Sequence, residues 1–308
     1  MKKHLTLILA FTVSIASAQL TFDTSKPIDT LIQDFVGSGI TLSNVTFTGG
    51  AQSIGSFSGS SSLGSSQGLV FSSGNIDSTI NAPAINFLTA SVNSPGDADL
   101  NILVSAPTYD AAVLEFDFVA TNSTLLFDYV FASEEYNEYA GSAFNDVFAF
   151  FISGPGINGT QNIALIPSTT TPVSINNVNN GTSGTGPCMN CSYYHDNTGD
   201  TTVAFDGFTI PLTATASLTP GQTYHLKLCV ADVADRIFDT GVFLQKYSLR
   251  TVNPAVAAEN IFENSKVFVH DDMLHVNLNS NVTPLCTVYN INGSKLIESK
   301  LTELNNNI

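Results

Sequence analysis

Residues 113–133 read Val113-Leu114-Glu115-Phe116-Asp117-Phe118-Val119-Ala120-Thr121-Asn122-Ser123-Thr124-Leu125-Leu126-Phe127-Asp128-Tyr129-Val130-Phe131-Ala132-Ser133. Leu114, Phe116 and Phe118 alternate with Glu115 and Asp117, so one face is apolar and the other acidic, the period of a half-buried strand. Leu125, Phe127, Tyr129 and Phe131 repeat the alternation in a second strand. Val147 to Ile152 is almost continuously apolar, as expected of a strand covered on both faces. Gly154-Pro155-Gly156 then interrupts, and Asn158-Gly159 gives a second turn signal before Ile163 to Ile166.

The same punctuation extends outward. Tyr224 to Ala231 is another apolar run, preceded by the turn Thr219-Pro220-Gly221-Gln222 and followed by Val242 to Leu244. On the other side, Gly49 to Gly74 is rich in Gly and Ser but carries Ile54, Phe57, Leu63, Leu69, Val70 and Phe71, a spacing that predicts short strands and turns. No segment carries a long helical period. The pattern predicts an all-β chain whose main domain, residues 19–250, is an antiparallel β-sandwich of jelly-roll type. Composition shifts after Arg250, with Asn253-Pro254 marking a linker over 251–257 and a small module over 258–308.

The N-terminus has a different character. Lys2 and Lys3 precede an apolar run from Leu5 to Ala16, and Ala16-Ser17-Ala18 precedes Gln19. This is the charged, apolar and small-residue order of a secretory leader, residues 1–18, cut between Ala18 and Gln19. A run of about a dozen apolar residues is short of the roughly 20 that span a bilayer. No other run is long enough, so no transmembrane segment is expected in the mature chain.

Losing Lys2 and Lys3 with the leader would take the net charge from −16 to −18. Nucleic acid and anionic lipid both demand a basic surface, which disfavours them as partners. Charge is also unevenly distributed: no Lys or Arg lies between Lys26 and Lys227, a stretch holding 16 carboxylates and the two histidines His195 and His225. Local ion pairs therefore cannot neutralise these acids. Where they crowd together, a bound cation is the natural partner.

The densest crowd is Glu134, Glu135, Glu138, Asn145 and Asp146, in a loop between two strand patterns. Asp232, Asp235 and Asp239 form a second group after another strand. An all-oxygen donor set suits calcium, which takes six to eight oxygens. If the two loops lie at one end of the sandwich, they share a calcium ion. The competing readings are solvated acids with Arg236 paired to one of the aspartates, or a carbohydrate-active enzyme using Glu134, Glu135 or Asp146. The enzyme reading needs two carboxylates flanking a bond in a sugar-stacking cleft. The chain has no Trp, and it lacks the Gly-x-Ser-x-Gly elbow and the His-Glu-x-x-His zinc helix. The expectation is a non-enzyme.

Cys188-Met189-Asn190-Cys191 reads as a disulfide-closed loop in an oxidising, exported setting, and Cys229 as a small buried core residue.

These segments also carry a family likeness. The strings LEFDFV (114–119), FDYVFASEEYNEY (127–139), FNDVFAFFISGPG (144–156), NIALIP (162–167), PVSINNVN (172–179), DGFT (206–209), YHLKLCVADVAD (224–235) and DTGVFLQ (239–245) resemble the choice-of-anchor L domain of exported bacterial proteins, in order from about Val36 to Ser248. The resemblance implies an extracellular β domain joined to varying anchoring or sorting signals, with no known enzyme activity and no ligand to carry over. The segments Lys266-Val-Phe-Val-His270, Met273-Leu-His-Val-Asn-Leu278 and Cys286 to Leu296 are similar to the type A sorting domain of the type IX secretion system. That implies a small Ig-like sandwich read by the type IX secretion machinery. The chain departs from that family's pattern after Leu304, where Asn305-Asn-Asn-Ile308 stands in place of its glycine-tyrosine last strand, so the module is expected to be incomplete. The functional expectation is a secreted or outer-surface binding or adhesive module, with a surface glycan or protein as ligand. The bland alternative is a structural exoprotein without a specific ligand.

Overall fold

The computed structural model describes residues 20–76, 89–199, 202–253, 266–270, 273–277, 285–289, 295–301 and 305–307. The expected leader, its cleavage point between Ala18 and Gln19, and most of the expected linker lie outside the described residues. The chain divides into two units, Met1–Val252 and Asn253–Ile308.

The first unit is an antiparallel β-sandwich. Its strands are β1 (Thr21–Asp23), β2 (Ile40–Thr48), β3 (Ile54–Ser58), β4 (Gln67–Ser72), β5 (Thr108–Ala120), β6 (Thr124–Ser133), β7 (Val147–Ser153), β8 (Thr160–Asn162), β9 (Tyr194–Asp196), β10 (Gly207–Thr209), β11 (Leu212–Ser217), β12 (Thr223–Val233), β13 (Thr240–Gln245) and β14 (Arg250–Val252). One sheet runs β1-β3-β4-β13-β6-β10-β9, with β11 and β14 also paired to β6; the other runs β2-β5-β12-β7-β8. The sequence-predicted strands around residues 114–118, 125–131, 147–152, 224–231 and 242–244 all form.

The alternation in β5 and β6 decides which side chains face inward. Phe116 and Phe118 from β5, Phe127, Tyr129 and Phe131 from β6, and Phe148 and Phe150 from β7 meet between the sheets. Their rings pack in edge and stacked pairs, with centroids 5.0 Å apart for Phe127–Phe150, 4.8 Å for Tyr129–Phe150 and 4.5 Å for Phe131–Phe148. Such pairs add about 0.5–1.5 kcal/mol each beyond the area they bury. The acidic face of β5 turns outward, where Asp117 accepts hydrogen bonds from Asn44 (2.7 Å) and His225 (2.9 Å).

β6 and β7 are covered on both faces. Behind β6, Val130 and Ala132 pack with Phe57, Val70, Phe205, Phe208 and Phe243. Behind β7, Val147, Ala149 and Phe151 pack with Leu100, Val113 and the buried Cys229. A helix that the sequence reading did not single out, α1 (Ile28–Phe35), places Leu31, Ile32 and Phe35 in the core, with Phe35 5.6 Å from Phe127. It has only two turns, too few to show a clear helical period.

The second unit contains β15 (Lys266–His270), β16 (Met273–Asn277), β17 (Leu285–Tyr289), β18 (Lys295–Lys300) and β19 (Asn305–Asn307). β16 lies between β15 and β19 in one sheet, and β17 pairs with β18 in another. The pairing His275↔Asn307 to Asn277↔Asn305 places the Asn-rich tail as a short strand on β16. Val276 and Leu301 are buried together.

Candidate functional site

Two crossings between the sheets build the acidic end of the sandwich. β6 leaves the first sheet at Ser133 and returns as β7 in the second, through residues 134–146. β12 leaves the second sheet at Val233 and returns as β13 in the first, through residues 234–239. Backbone pairing brings the crossings to one end, because Glu134 N–H donates to Asp239 O (3.1 Å). Val233 N–H donates to Asp146 Oδ1 (3.0 Å). The rings of Tyr139 and Phe238, one from each crossing, lie 5.5 Å apart.

The longer crossing is held by the segment 173–197. Tyr136 Oη donates to Val178 O (2.8 Å), Tyr194 Oη to Asn137 Oδ1 (2.6 Å) and Thr182 Oγ1 to Ala140 O (2.7 Å). Asn176 N–H donates to Asn145 Oδ1 (2.9 Å), which commits that oxygen to the loop's own structure. Asn179 and Met189 exchange backbone hydrogen bonds, and the Cys188–Cys191 disulfide closes the short loop that follows.

The two crossings bring most of the candidate acids together and bury five of them. Glu134, Glu135, Asp146, Asp232 and Asp239 are 3, 1, 0, 1 and 0 % exposed. Glu138 is exposed and Asp235 half-buried. Asp235 spends one oxygen on Ile237 N–H (2.9 Å), a local turn. Asp239 accepts from Ala90 N–H (2.9 Å), and its carboxylate lies over Gly74, where a Cβ would come within 1.9 Å of Oδ2. Any side chain at Gly74 would therefore displace Asp239.

Among the described residues, Glu134, Glu135, Asp146 and Asp232 take no ion pair. Arg236, which the sequence places among the aspartates of the second loop, turns instead to Asp110 in β5 and also donates to Ser94 O (3.1 Å). Glu134 Oε2, Glu135 Oε2, Asp146 Oδ2 and both oxygens of Asp232 are buried without a hydrogen-bond partner. Ser73 is close enough to temper the charge of Asp232, but its hydroxyl is directed to Thr240 O (3.3 Å).

Burial and mutual repulsion raise these groups far above ordinary carboxylates. Desolvation, then Asp206, Asp239 and Glu138, push Glu134 up to about 10. Desolvation, Asp235 and Glu138 push Glu135 to about 8. Asp146 and Asp232 are raised well above the usual range, chiefly by burial, with Glu135 the leading charge on Asp146 and Asp146 the leading charge on Asp232. Sequence reasoning missed Asp110 and Asp206 as members of this neighbourhood. Their sequence neighbours show no acidic crowding; only strand pairing brings them here.

The donors are all oxygens, with five orphaned carboxylate oxygens among four buried residues, which fits a hard cation better than zinc or copper. Among the described residues, no three His, Cys, Asp or Glu side chains already converge into a coordination shell. The acids are neighbours, Asp232 near the end of β12 and the others in the crossings. Among the described residues no helix is long and apolar enough to cross a membrane.

No curated protein and no solved structure matches the chain. The Choice-of-anchor L domain matches residues 19–250, which takes in both sheets and both acidic crossings. With most of its length accounted for by that domain, the chain belongs to the Choice-of-anchor L family.

Proposed function

We propose that this protein is a cell-surface or secreted, non-enzymatic binding module whose acidic end is closed by calcium. Membership of the Choice-of-anchor L family supports the surface or secreted setting. The observation that carries the calcium reading is the set of unpartnered oxygens on Glu135, Asp146 and Asp232, residues no more than 1 % exposed. An orphaned buried carboxylate costs at least about 1–3 kcal/mol, and several together are hard to account for unless a ligand satisfies them. Calcium supplies charge neutralisation and oxygen coordination there. Asp146 and Asp232 would contribute from the second sheet and Glu135 from the first, so the ion ties the sheets together, with Asp235 nearby on the second crossing.

Burial also weighs against the hydrolase alternative. Glu134, Glu135 and Asp146 lie at or below 3 % exposure, which leaves a sugar no approach to the pair of carboxylates that glycoside hydrolysis requires. Adhesion to a surface glycan or protein is the proposed activity, with the ion stiffening the crossings that join the sheets.

Routing by the type IX secretion machinery is the second part of the proposal. It rests on the strand and turn segments from Lys266 to Leu296 and their likeness to a sorting module. Mass spectrometry of both termini after cell fractionation tests it. Cleavage after Ala18 and loss of the tail from the surface-located form are the expected results.

The calcium reading is tested by thermal denaturation of the purified chain in millimolar CaCl2 and in EGTA. A rise of several degrees in Tm with calcium, made smaller by Asp232→Asn, is expected. An unchanged Tm would remove calcium from the proposal.

A further inference from the structure

The carboxylates at this end fall into two groups, and only one lies between the sheets. Thr240 of β13 pairs with Ser133 of β6, and Ser133 also pairs with Gly207 of β10. The residue next along each of these antiparallel strands is an acid: Asp239, Glu134 and Asp206. Three carboxylates therefore form a row across three neighbouring strands. Directly opposed residues in antiparallel strands project on the same face. Alternation sets that face: Phe131 faces the inter-sheet core, while Val130, Ala132 and Phe208 lie behind the sheet. Glu134 and Asp206 share the register of these last three, opposite to the side from which Asp146 and Asp232 approach.

Like charges directly opposed on neighbouring strands are destabilising. No ion pair to Glu134, Asp206 or Glu138 occurs among the described residues. Independently, Glu134 is 3 % exposed and its Oε2 has no hydrogen-bond partner. Asp206 is half-buried and Glu138 exposed, so the group has a buried floor, a wall and an open rim. Strands lie about 4.8 Å apart, which is about twice the 2.4 Å of a calcium–oxygen bond. Carboxylates on adjacent strands are therefore within reach of one ion once their side chains turn toward it, although among the described residues they do not already converge into a shell.

We infer that the acidic end holds a second calcium ion, outside the sandwich, with Glu134 as its floor and Asp206 and Glu138 as its solvent-facing ligands. This rests on the proposed calcium reading but adds a site and a ligand, Asp206. Water completes the shell on the open side. Asp239, between the two groups, couples them. The leading charges follow the division for Glu134 (Asp206, Asp239 and Glu138) and Asp232 (Asp146, Asp239 and Asp110), while Glu138 also acts on Glu135 of the inner group.

The test is the calcium stoichiometry of the purified chain, measured by equilibrium dialysis, for wild type, Asp206→Asn, Glu138→Gln and Asp232→Asn. Wild type is expected to bind two ions. Asp206→Asn should bind one and keep a calcium-dependent rise in Tm, and Asp232→Asn should lose the other. Glu138→Gln, at an exposed position, should weaken one ion by about tenfold, the worth of roughly 1.4 kcal/mol. One ion in wild type, or two ions bound unchanged in both Asp206→Asn and Glu138→Gln, overturns the second site and leaves the first. No calcium bound by wild type overturns the underlying calcium reading as well.

Discussion

Asp146, just ahead of β7, and Asp232 of β12 stand opposite each other, one step beyond the pair Val147↔Ala231, and both are buried. Three of their four carboxylate oxygens accept no hydrogen bond; the fourth, Asp146 Oδ1, takes Val233 N–H. A folded chain without a cation must keep these groups largely protonated. At a pH between the unfolded and folded pKa values, taking up a proton on folding costs about 1.4 kcal/mol for each unit by which the pH exceeds the unfolded pKa.

Replacing Asp232 by Asn removes that cost while keeping the shape. The calcium-free variant should be more stable than wild type at pH 7, because Asn carries no charge to neutralise on folding. Urea denaturation in EGTA measures this. A less stable variant would mean that Asp232 already has a compensating partner.

The same logic fixes the pH dependence. In the folded chain Glu135 is raised to about 8 and Glu134 to about 10 from an ordinary value of 4.5. Above 4.5 the unfolded chain binds fewer protons than the folded one, so stability falls as pH rises. The calcium-free protein should lose stability steadily from about pH 4.5 to about 8 as Glu135 is titrated, and on toward about 10 for Glu134. Calcium binding at pH 7 should release protons. Calorimetry in two buffers of different ionisation enthalpy would reveal the release, and identical heats would contradict it.

Arg236 compensates Asp110, which is 0 % exposed. The guanidinium also lies 4.9 Å from the ring centre of Tyr109. Arg236→Ala strands the carboxylate and should destabilise the domain by about 3 kcal/mol, toward the lower end for breaking a buried pair because Arg236 is partly exposed. The double variant Arg236→Ala/Asp110→Asn should recover much of the loss. Chemical denaturation of the three variants closes the cycle.

Phe150 makes ring contacts with Phe127, Tyr129 and Phe148 between the sheets. Phe150→Ala should cost about 3–5 kcal/mol, with the loss appearing as a lower denaturation midpoint at nearly constant m-value. A loss below about 1 kcal/mol would mean that the core collapses onto the vacancy.

Strand identity was legible because it depends on local periodicity. Leu114-Glu115-Phe116-Asp117-Phe118 can bury only one face when extended, and Val147 to Ile152 can bury two. The acidic loops were legible as crowds without counter-charge. Asp110 and Asp206 were not, because each stands alone in its own segment. α1 was missed because two turns carry too little periodicity to outweigh the surrounding β pattern.

The sequence by itself determined an all-β chain, two acidic loops and a closed Cys188–Cys191 loop, since alternation, local charge and short cysteine spacing are properties of neighbours along the chain. Only the tertiary structure decided which acids meet. Asp146 faces Asp232 because β7 and β12 pair, Glu134 lies between Asp239 and Asp206 because β6 pairs with both β13 and β10, and Arg236 turns away to Asp110. These are contacts between residues up to 126 positions apart, set by strand register, which no local pattern encodes. Burial then converts that register into chemistry, because the same carboxylates in water would keep their ordinary acidity and have no need of a cation.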